Sequence, residues 1–222
     1  MSPGDAARPA VGLRERKKRQ TRQLLVDTAA ALFAERGYEQ VAVLDVAKAA
    51  DVSEQTVYNY FPTKPRLVLD REQEFLERFT ELIKARPHGT SPAAALRGAA
   101  LARVEGISAT PPDQARGGLG YLAAISPEVR RLSLEMTDRL ADAMAAVIAE
   151  APDGPPPHVA RLQGVALAWA FQTITDEVGR RVVAGQDHPE IAVELRPIVE
   201  DLFDNIDLWL TPRGAVVCLG FS

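Results

Sequence analysis

Apolar residues recur at helical spacing near the start of the chain. Leu25, Ala29 and Phe33 are each separated by four positions, which is typical of one face of an α-helix. Gly37 follows the last of these periodic residues, and glycine is common just beyond the end of a helix because it has no Cβ. The pattern predicts a first helix over residues 15–36.

Two short helices are predicted next. Valine and alanine at helical spacing indicate a helix over residues 43–50, followed by a tight turn. Ser53 is a good N-cap for a third helix that runs to about Tyr60, since its hydroxyl can accept from a free backbone N–H. Pro62 cannot continue that helix. A longer helix is predicted over residues 63–86.

The rest of the chain is rich in alanine and leucine, and proline or glycine interrupts it at intervals. The helices predicted between these interruptions cover 92–108, 113–125, 127–150, 156–185 and 189–210. No strand pattern stands out except in the tail at 215–219, which stays unassigned. The expected fold class is all-α with about nine helices, in which a three-helix N-terminal unit is joined by a fourth helix to a larger helical domain.

Charge is unevenly distributed along the chain. The 222 residues carry a net charge of −4, yet seven lysine or arginine residues between Arg8 and Leu24 accompany a single acidic residue, Glu15. A local basic segment can bind a polyanion even when the whole protein is anionic. The alternative, a basic helix face that only contacts solvent, stays open.

The sequence offers little for catalysis or metal binding. Cys218 is the only cysteine, so the chain can form neither an internal disulfide nor a cysteine cluster, and it fits a reducing cytoplasm. His88, His158 and His188 each lie in a Pro- or Gly-rich connection, and no phosphate loop or G-x-S-x-G motif is present. No segment is long and apolar enough to span a membrane. We expect a cytoplasmic protein without a cofactor or metal, and not an enzyme.

Two short helices joined by a tight turn form a helix-turn-helix, whose second helix lies in the major groove of DNA. In that second helix Val57 and Phe61 are four positions apart and are expected to face the core. The remaining side chains, which are polar or aromatic, are left to face outward. They are Glu54, Gln55, Thr56, Tyr58, Asn59 and Tyr60. Amides can bond base edges and hydroxyls can bond phosphates.

The segment 24–68, LLVDTAAALFAERGYEQVAVLDVAKAADVSEQTVYNYFPTKPRLV, resembles the DNA-binding domain of the TetR family of repressors. The resemblance covers about residues 14–70 and implies an all-helical, Ω-shaped homodimer that binds a palindromic DNA operator and responds to a small ligand. Repressor or activator stays open, as does an adaptor that takes a protein partner. The implied organisation is a disordered arm (1–13), the DNA-binding domain (14–70), a ligand-binding and dimerisation domain (71–211) and a tail (212–222).

The resemblance also implies roles for individual side chains. The proposed phosphate contacts are Thr56, Tyr58 and Lys64, the groove-contacting set is Gln55, Asn59 and Tyr60, the start of the recognition helix is Ser53 and Glu54, and the basic helix contributes Arg16 and Lys17. For Tyr60 an alternative to groove contact stays open, namely that its ring is partly packed in the core.

The segment departs from the family pattern at two positions. Ala42 stands where the family usually has a threonine that caps the second helix, and losing such a cap costs about 0.5–2 kcal/mol. Asp51 stands where glycine is favoured in the turn, although aspartate tolerates left-handed backbone geometry better than most residues. Asp51 and Glu54 also add negative charge near the DNA, so an altered operator contact is expected.

Beyond residue 85 the resemblance is architectural. Its implied pocket lies among the central helices and takes a small apolar or amphipathic effector. Candidate lining residues are Tyr121, Ile125, Met136, Leu140, Met144, Trp169, Phe171, Gln172 and Thr175. The last two helices are expected to pair with their copies, because their apolar stripes are wider than one internal contact needs. The interface candidates are Val165, Ala168, Ile174, Leu195, Val199, Leu202, Phe203 and Ile206. For each of these residues, a purely internal core position stays open.

Overall fold

The computed structural model describes residues 12–152 and 154–210. Every regular element in these ranges is a helix, as the all-α expectation requires. The helices are α1 (Leu13–Arg36), α2 (Val43–Ala49), α3 (Glu54–Tyr60), a 3₁₀ helix (Lys64–Leu67), α4 (Glu72–Lys84), α5 (Pro92–Ser108), α6 (Pro112–Ala115), α7 (Leu119–Ile125), α8 (Pro127–Ala149), α9 (Pro157–Val183) and α10 (His188–Leu210). Most of the N-terminal arm, the unassigned strand pattern at 215–219 and Cys218 lie outside the described residues.

The helix predicted over residues 63–86 is interrupted, which corrects that prediction. A 3₁₀ helix occupies Lys64–Leu67, and α4 begins only at Glu72. Leu67 and Leu69 are both almost completely buried. A continuous α-helix would point these two side chains in nearly opposite directions, whereas the interrupted segment buries both. Tertiary packing therefore outweighs the helical pattern here.

The helix predicted over residues 113–125 is also split, into α6 and α7, and a Gly117-Gly118 pair separates them. Gly117 lies directly against α1, because a Cβ added there would be 2.3 Å from the carbonyl oxygen of Ala30. Only glycine allows the two backbones to approach this closely. The break thus brings the α6–α7 segment into contact with the first helix.

The N-terminal helices share one apolar core. Phe33 of α1, Val46 of α2, and Val57 and Phe61 around α3 are all almost fully buried in it. Leu122 of α7 and Val129 of α8 belong to the same cluster. The N-terminal unit is therefore not closed by itself, and the larger part of the chain completes its core.

The larger core is formed by helices α4, α5, α8, α9 and α10. Aromatic rings from three of these helices meet inside it. The ring centroids of Phe79 and Phe171 are 4.3 Å apart, and those of Phe171 and Phe203 are 5.5 Å apart. None of the described helices combines the length and apolar content needed to cross a membrane.

Helices α7 and α9 cross at two glycines. A Cβ added to Gly179 would be 2.1 Å from the carbonyl oxygen of Gly120, and one added to Gly120 would be 2.7 Å from the carbonyl oxygen of Thr175. Both distances are below any real carbon contact, so the helices meet backbone to backbone. Any side chain at this crossing must push α7 away from α9.

We predict that Gly179→Ala lowers the free energy of unfolding by about 1–3 kcal/mol, because the added methyl group overpacks the α7–α9 crossing. The matched control is Gly98→Ala on α5, where an added Cβ meets nothing within 4 Å. That substitution is expected to raise the free energy of unfolding by up to about 1 kcal/mol, since alanine favours a helix more than glycine does. Urea denaturation of both variants tests the prediction, and equal effects would contradict it.

Candidate nucleic-acid interface and internal cavity

The turn between α2 and α3 is built as the sequence predicts. Asp51 has a φ of 54°, the left-handed geometry that aspartate was expected to tolerate here. The N–H of Val52 then bonds the carbonyl of Ala47 at 3.0 Å. Ser53 caps α3, because its hydroxyl accepts from the N–H of Thr56 at 3.1 Å. The two short helices are thereby held at a fixed angle.

The start of α2 compensates in part for the missing threonine at position 42. The backbone N–H of Ala42 donates to the carboxylate of Asp45 at 2.8 Å. This is one half of a capping box, and a carboxylate in the first turn also stabilises the positive end of the helix. The helix therefore begins at Val43 without a side-chain cap from Ala42.

Helix α3 separates its apolar and polar side chains as predicted. Val57 and Phe61 are buried, whereas Gln55, Tyr58 and Asn59 are exposed. The side-chain amide of Gln55 donates to the Oδ1 atom of Asn59 at 3.1 Å, which orients the two amides together on the outer face. The exposed face thus presents amide groups and a phenol hydroxyl to solvent.

Two predicted DNA-contact residues are engaged in packing or hydrogen bonding within the chain. The ring of Tyr60 is half-buried and packs against the N-terminal core, which is the alternative that the sequence left open. The Nζ atom of Lys64 donates to the carbonyl oxygen of Tyr38 at 2.5 Å and lies 3.9 Å from the centroid of the Tyr38 ring. Burial lowers the pKa of the Lys64 ammonium group. Lys64 thus ties the turn after α1 to the 3₁₀ helix.

The basic segment belongs to α1, which begins at Leu13. Arg16 and Lys17 are exposed on its first turns, and neither forms an ion pair with a described residue. Further along the same helix Arg22 pairs with Asp70 and lies 4.5 Å from the centroid of the Phe61 ring. Arg16 and Lys17 at the start of α1 are therefore unpaired among the described residues, whereas Arg22 is used in packing.

A partly open cavity of about 390 Å³ lies between the N-terminal unit and the larger domain. Its walls come from α1, the segment from the 3₁₀ helix to α4, and helices α5, α7, α8, α9 and α10. A smaller cavity of about 30 Å³ adjoins it and extends between α4, α8 and α9. The two cavities share wall residues, among them Phe75, Leu119 and Met136.

The structure places the nine predicted pocket residues in different surroundings. The larger cavity is lined by Tyr121, Met136 and Thr175, and the smaller one by Met136, Leu140, Phe171, Gln172 and Thr175. Three residues need correction. Met144 has no exposed surface and is packed in the core, whereas Ile125 and Trp169 are 42% and 45% exposed on the outside. Ile125 and Trp169 lie on the solvent-facing sides of α7 and α9, and these helices bury their opposite faces.

Arg103 lines both cavities and was missed by sequence reasoning. Its Nη2 atom donates to the hydroxyl of Thr175 at 2.9 Å, and its guanidinium carbon lies 5.6 Å from the centroid of the Phe75 ring. Burial lowers the pKa of this guanidinium. A signal was present in the sequence, because Arg103 shares a helix face with Ala100 and Ile107.

The predicted dimer-interface residues also divide into two groups. Five of them are buried in the chain's own core and cannot offer surface to a second copy. They are Ala168, Ile174, Leu195, Val199 and Phe203. Val165, Leu202 and Ile206 keep part of their surface. The large apolar side chains that α9 and α10 expose are Leu162, Trp169, Val183, Val193, Ile198, Leu208 and Trp209.

The fold and the α2–α3 geometry define an all-helical helix-turn-helix protein. Residues 25–70 match the family model of bacterial regulatory proteins of the tetR family. The chain therefore carries a DNA-binding segment of the TetR type. The regulator TcmR of Streptomyces glaucescens is 36% identical over 88 residues, which are 40% of this chain and 39% of TcmR. The match thus spans about two fifths of the length of that relative.

Solved structures of family members share the fold over most of the chain. NalD of Pseudomonas aeruginosa, the secondary repressor of the MexAB-OprM multidrug efflux pump, has a TM-score of 0.58 at 18% identity and covers 88% of this chain and 100% of its own. The regulator FadR from Bacillus subtilis, solved in complex with stearoyl-CoA, has a TM-score of 0.52 at 20% identity. The match covers 83% of this chain and 97% of the FadR chain.

We predict that Asp51→Ala lowers the free energy of unfolding by about 1 kcal/mol, because alanine is strained at a positive φ. Asp51→Gly removes the same carboxylate without that strain. The stability gained from the relaxed backbone is offset by the greater conformational freedom of glycine in the unfolded chain. Glycine is therefore expected to leave the stability nearly unchanged. Thermal denaturation compares the two variants, and a glycine variant as unstable as the alanine one would refute this account of the turn.

Proposed function

We propose that this chain is a DNA-binding transcriptional regulator whose helix α3 enters the major groove. The observation that carries the proposal is the outer face of α3, which presents Gln55, Tyr58 and Asn59 within the segment that matches the family model. Such a helix, supported from behind by a second helix, is the arrangement with which helix-turn-helix proteins contact base edges.

The exposed groups divide by the chemistry of their targets. The amides of Gln55 and Asn59 can donate to and accept from a base edge at once, so they are the proposed base-reading pair. The hydroxyls of Thr56 and Tyr58 are the proposed phosphate contacts, and Ser53, Glu54 and Tyr60 complete the surface around them. Lys64 is also included, although one N–H of its ammonium group already donates to the carbonyl of Tyr38, so a phosphate contact must use its remaining N–H groups.

The basic start of α1 is proposed to hold the DNA backbone. Arg16 and Lys17 are exposed and carry no competing ion pair with a described residue. Cations in this position neutralise phosphates and release counterions, which strengthens binding to any sequence. The amides of α3 would then select the operator.

A second copy of the chain is the proposed partner for α9 and α10. Leu162, Val165 and Trp169 follow helical spacing on α9, while Ile198, Leu202 and Trp209 do so on α10. Apolar side chains in such numbers on adjoining helices indicate a contact surface. Two-fold pairing through this surface would give two recognition helices and hence a palindromic operator.

Repression relieved by a small ligand is the proposed mode of regulation. The cavity of about 390 Å³ has the size of a ligand site. Val26, Ala30 and Phe33 of α1 form part of its wall, so a ligand there would touch the DNA-binding unit directly. A ligand that fits one arrangement of α1 better than another shifts the population of DNA-binding spacings. The cavity also favours this mode over an adaptor with a closed core.

We predict that the protein binds DNA from upstream of its own gene and that the affinity falls with salt. Lys17→Ala is expected to weaken binding to all sequences and to reduce the slope of log affinity against log salt by about 1. Gln55→Ala is expected to cost about 1–3 kcal/mol on the preferred site only, since it removes a base contact. Fluorescence anisotropy on specific and scrambled duplexes measures both effects.

Lys84→Ala is the matched control for this experiment. Lys84 is an exposed lysine at the far end of α4, and its loss removes the same charge from a surface outside the proposed interface. It is expected to leave the salt slope unchanged. Absence of salt-dependent DNA binding by the wild-type protein would contradict the proposed function.

We predict that the wild-type protein is a dimer and that the double variant Trp169→Glu, Ile198→Glu is a monomer. Two buried carboxylates per subunit would lose their hydration without gaining partners. Leu24→Glu, which places the same charge on an exposed apolar position of α1, is the control and should stay dimeric. Analytical ultracentrifugation distinguishes these states, and a dimeric double variant would rule out this surface.

A further inference from the structure

Among the residues that the structure describes, the guanidinium of Arg103 has no counter-ion. Its one hydrogen bond among the described residues goes to the neutral hydroxyl of Thr175, and no described carboxylate pairs with it. Burial lowers the pKa of this guanidinium, and the charge of Arg71, which has the same sign, lowers it further. Arginine stays protonated in proteins, so the positive charge persists despite its burial.

The other charged groups of the cavity wall already have partners. Glu72 accepts from Arg66 at 3.1 Å and also pairs with Arg139. Arg71 forms a two-pronged pair with Glu74, with N···O distances of 2.8 and 2.9 Å. Glu72 could compensate Arg103 only by breaking an existing ion pair, and Arg71, which is itself a cation, cannot compensate it at all. The uncompensated charge of the cavity is therefore that of Arg103.

Burying a cation without a partner destabilises a folded protein, and a group that does so is a candidate for ligand binding. The Nε and Nη1 atoms of Arg103 form no hydrogen bond with a described residue, while the side chain lines both cavities. Two parallel N–H groups of a guanidinium match the two oxygens of a carboxylate, and Arg103 can offer such a pair from the second N–H of Nη2 together with the N–H of Nε or of Nη1.

The surroundings of Arg103 are otherwise apolar. Phe75, Leu119 and Met136 line both cavities, and Phe79 and Leu140 continue the wall of the smaller one. An anion that fits here must carry an apolar body next to its charged group. One unpaired arginine in a cavity that the carboxylate of Glu72 also lines suits a single negative charge better than the double charge of a phosphate monoester.

We propose that the cavity binds an amphipathic organic monocarboxylate, with the carboxylate paired to Arg103 and the apolar body against Phe75, Leu119 and Met136. This inference rests on the proposed ligand site and assigns its ligand class. The body of such a ligand would also meet Ala30 and Phe33 of α1, which line the same cavity. The charge thus anchors the ligand in the larger domain while its body contacts the DNA-binding unit.

The test compares matched charged and neutral probes on the full-length protein. The probes are decanoate with decanamide and 2-naphthoate with 2-naphthamide, titrated by isothermal calorimetry at pH 7.5. A charge-assisted hydrogen bond is stronger than a neutral one by enough to give a carboxylate at least about tenfold tighter binding than its amide. We expect this preference in at least one of the two pairs.

Arg103→Gln is the decisive variant, and Arg97→Gln is its control. Arg97 lies on the same helix but forms a surface ion pair with Asp204. Arg103→Gln is expected to bind carboxylate and amide equally, whereas Arg97→Gln keeps the wild-type preference. Circular dichroism confirms that both variants are folded. Should Arg103→Gln fail to fold, Arg103→Lys provides the comparison, since it keeps the charge but loses the paired N–H groups and should weaken the preference.

Three results would overturn the proposal. They are carboxylates that bind no tighter than their amides, carboxylates that do not bind at all, and a carboxylate preference that survives Arg103→Gln. Naphthyl phosphate serves as a further probe, and tighter binding of this dianion than of 2-naphthoate would also overturn the monocarboxylate assignment. DNA binding is measured separately without any probe, so a failure of the regulator function is distinguishable from a failure of the anion site.

Discussion

The apolar core of the N-terminal unit is completed by the larger domain, and the rest of the molecule depends on this packing. Leu122 and Val129 fill the same core as Phe33 and Phe61. Small helical units bury too little apolar surface to be stable alone, so this shared core stabilises the position of α1 as well as its fold. A rearrangement of α7 cannot leave the helix-turn-helix undisturbed.

Backbone contacts reinforce that link. Gly117 touches the carbonyl of Ala30 on α1, and Gly120 meets Gly179 of α9. The α6–α7 segment is therefore held between the DNA-binding unit on one side and the long helix α9 on the other. Because close-packed interfaces deform little, a displacement of α9 would press on this segment, which in turn contacts α1.

Much of the helix-turn-helix could be predicted from local sequence because its signals are local. Ser53 caps α3, Asp51 takes the left-handed turn, and Val57 and Phe61 face inward, each within a few residues of its partners. The pocket and the interface were predicted less well. Trp169 lies outside and Met144 inside, since periodicity identifies an apolar helix but not which of its faces meets which neighbour.

The sequence by itself determined the all-helical class, the order of most helices and the polar face of α3, because caps, prolines and helical spacing act over one or two turns. The tertiary structure decided the break before α4, the split of α6 from α7 and the surroundings of Arg103. Each of these depends on residues far apart in the chain, as when Thr175 becomes the only hydrogen-bond partner of Arg103 among the described residues. Contacts between residues far apart in the chain leave no signal in the local sequence pattern. Only the folded structure therefore shows that the charge of Arg103 lies beside a cavity.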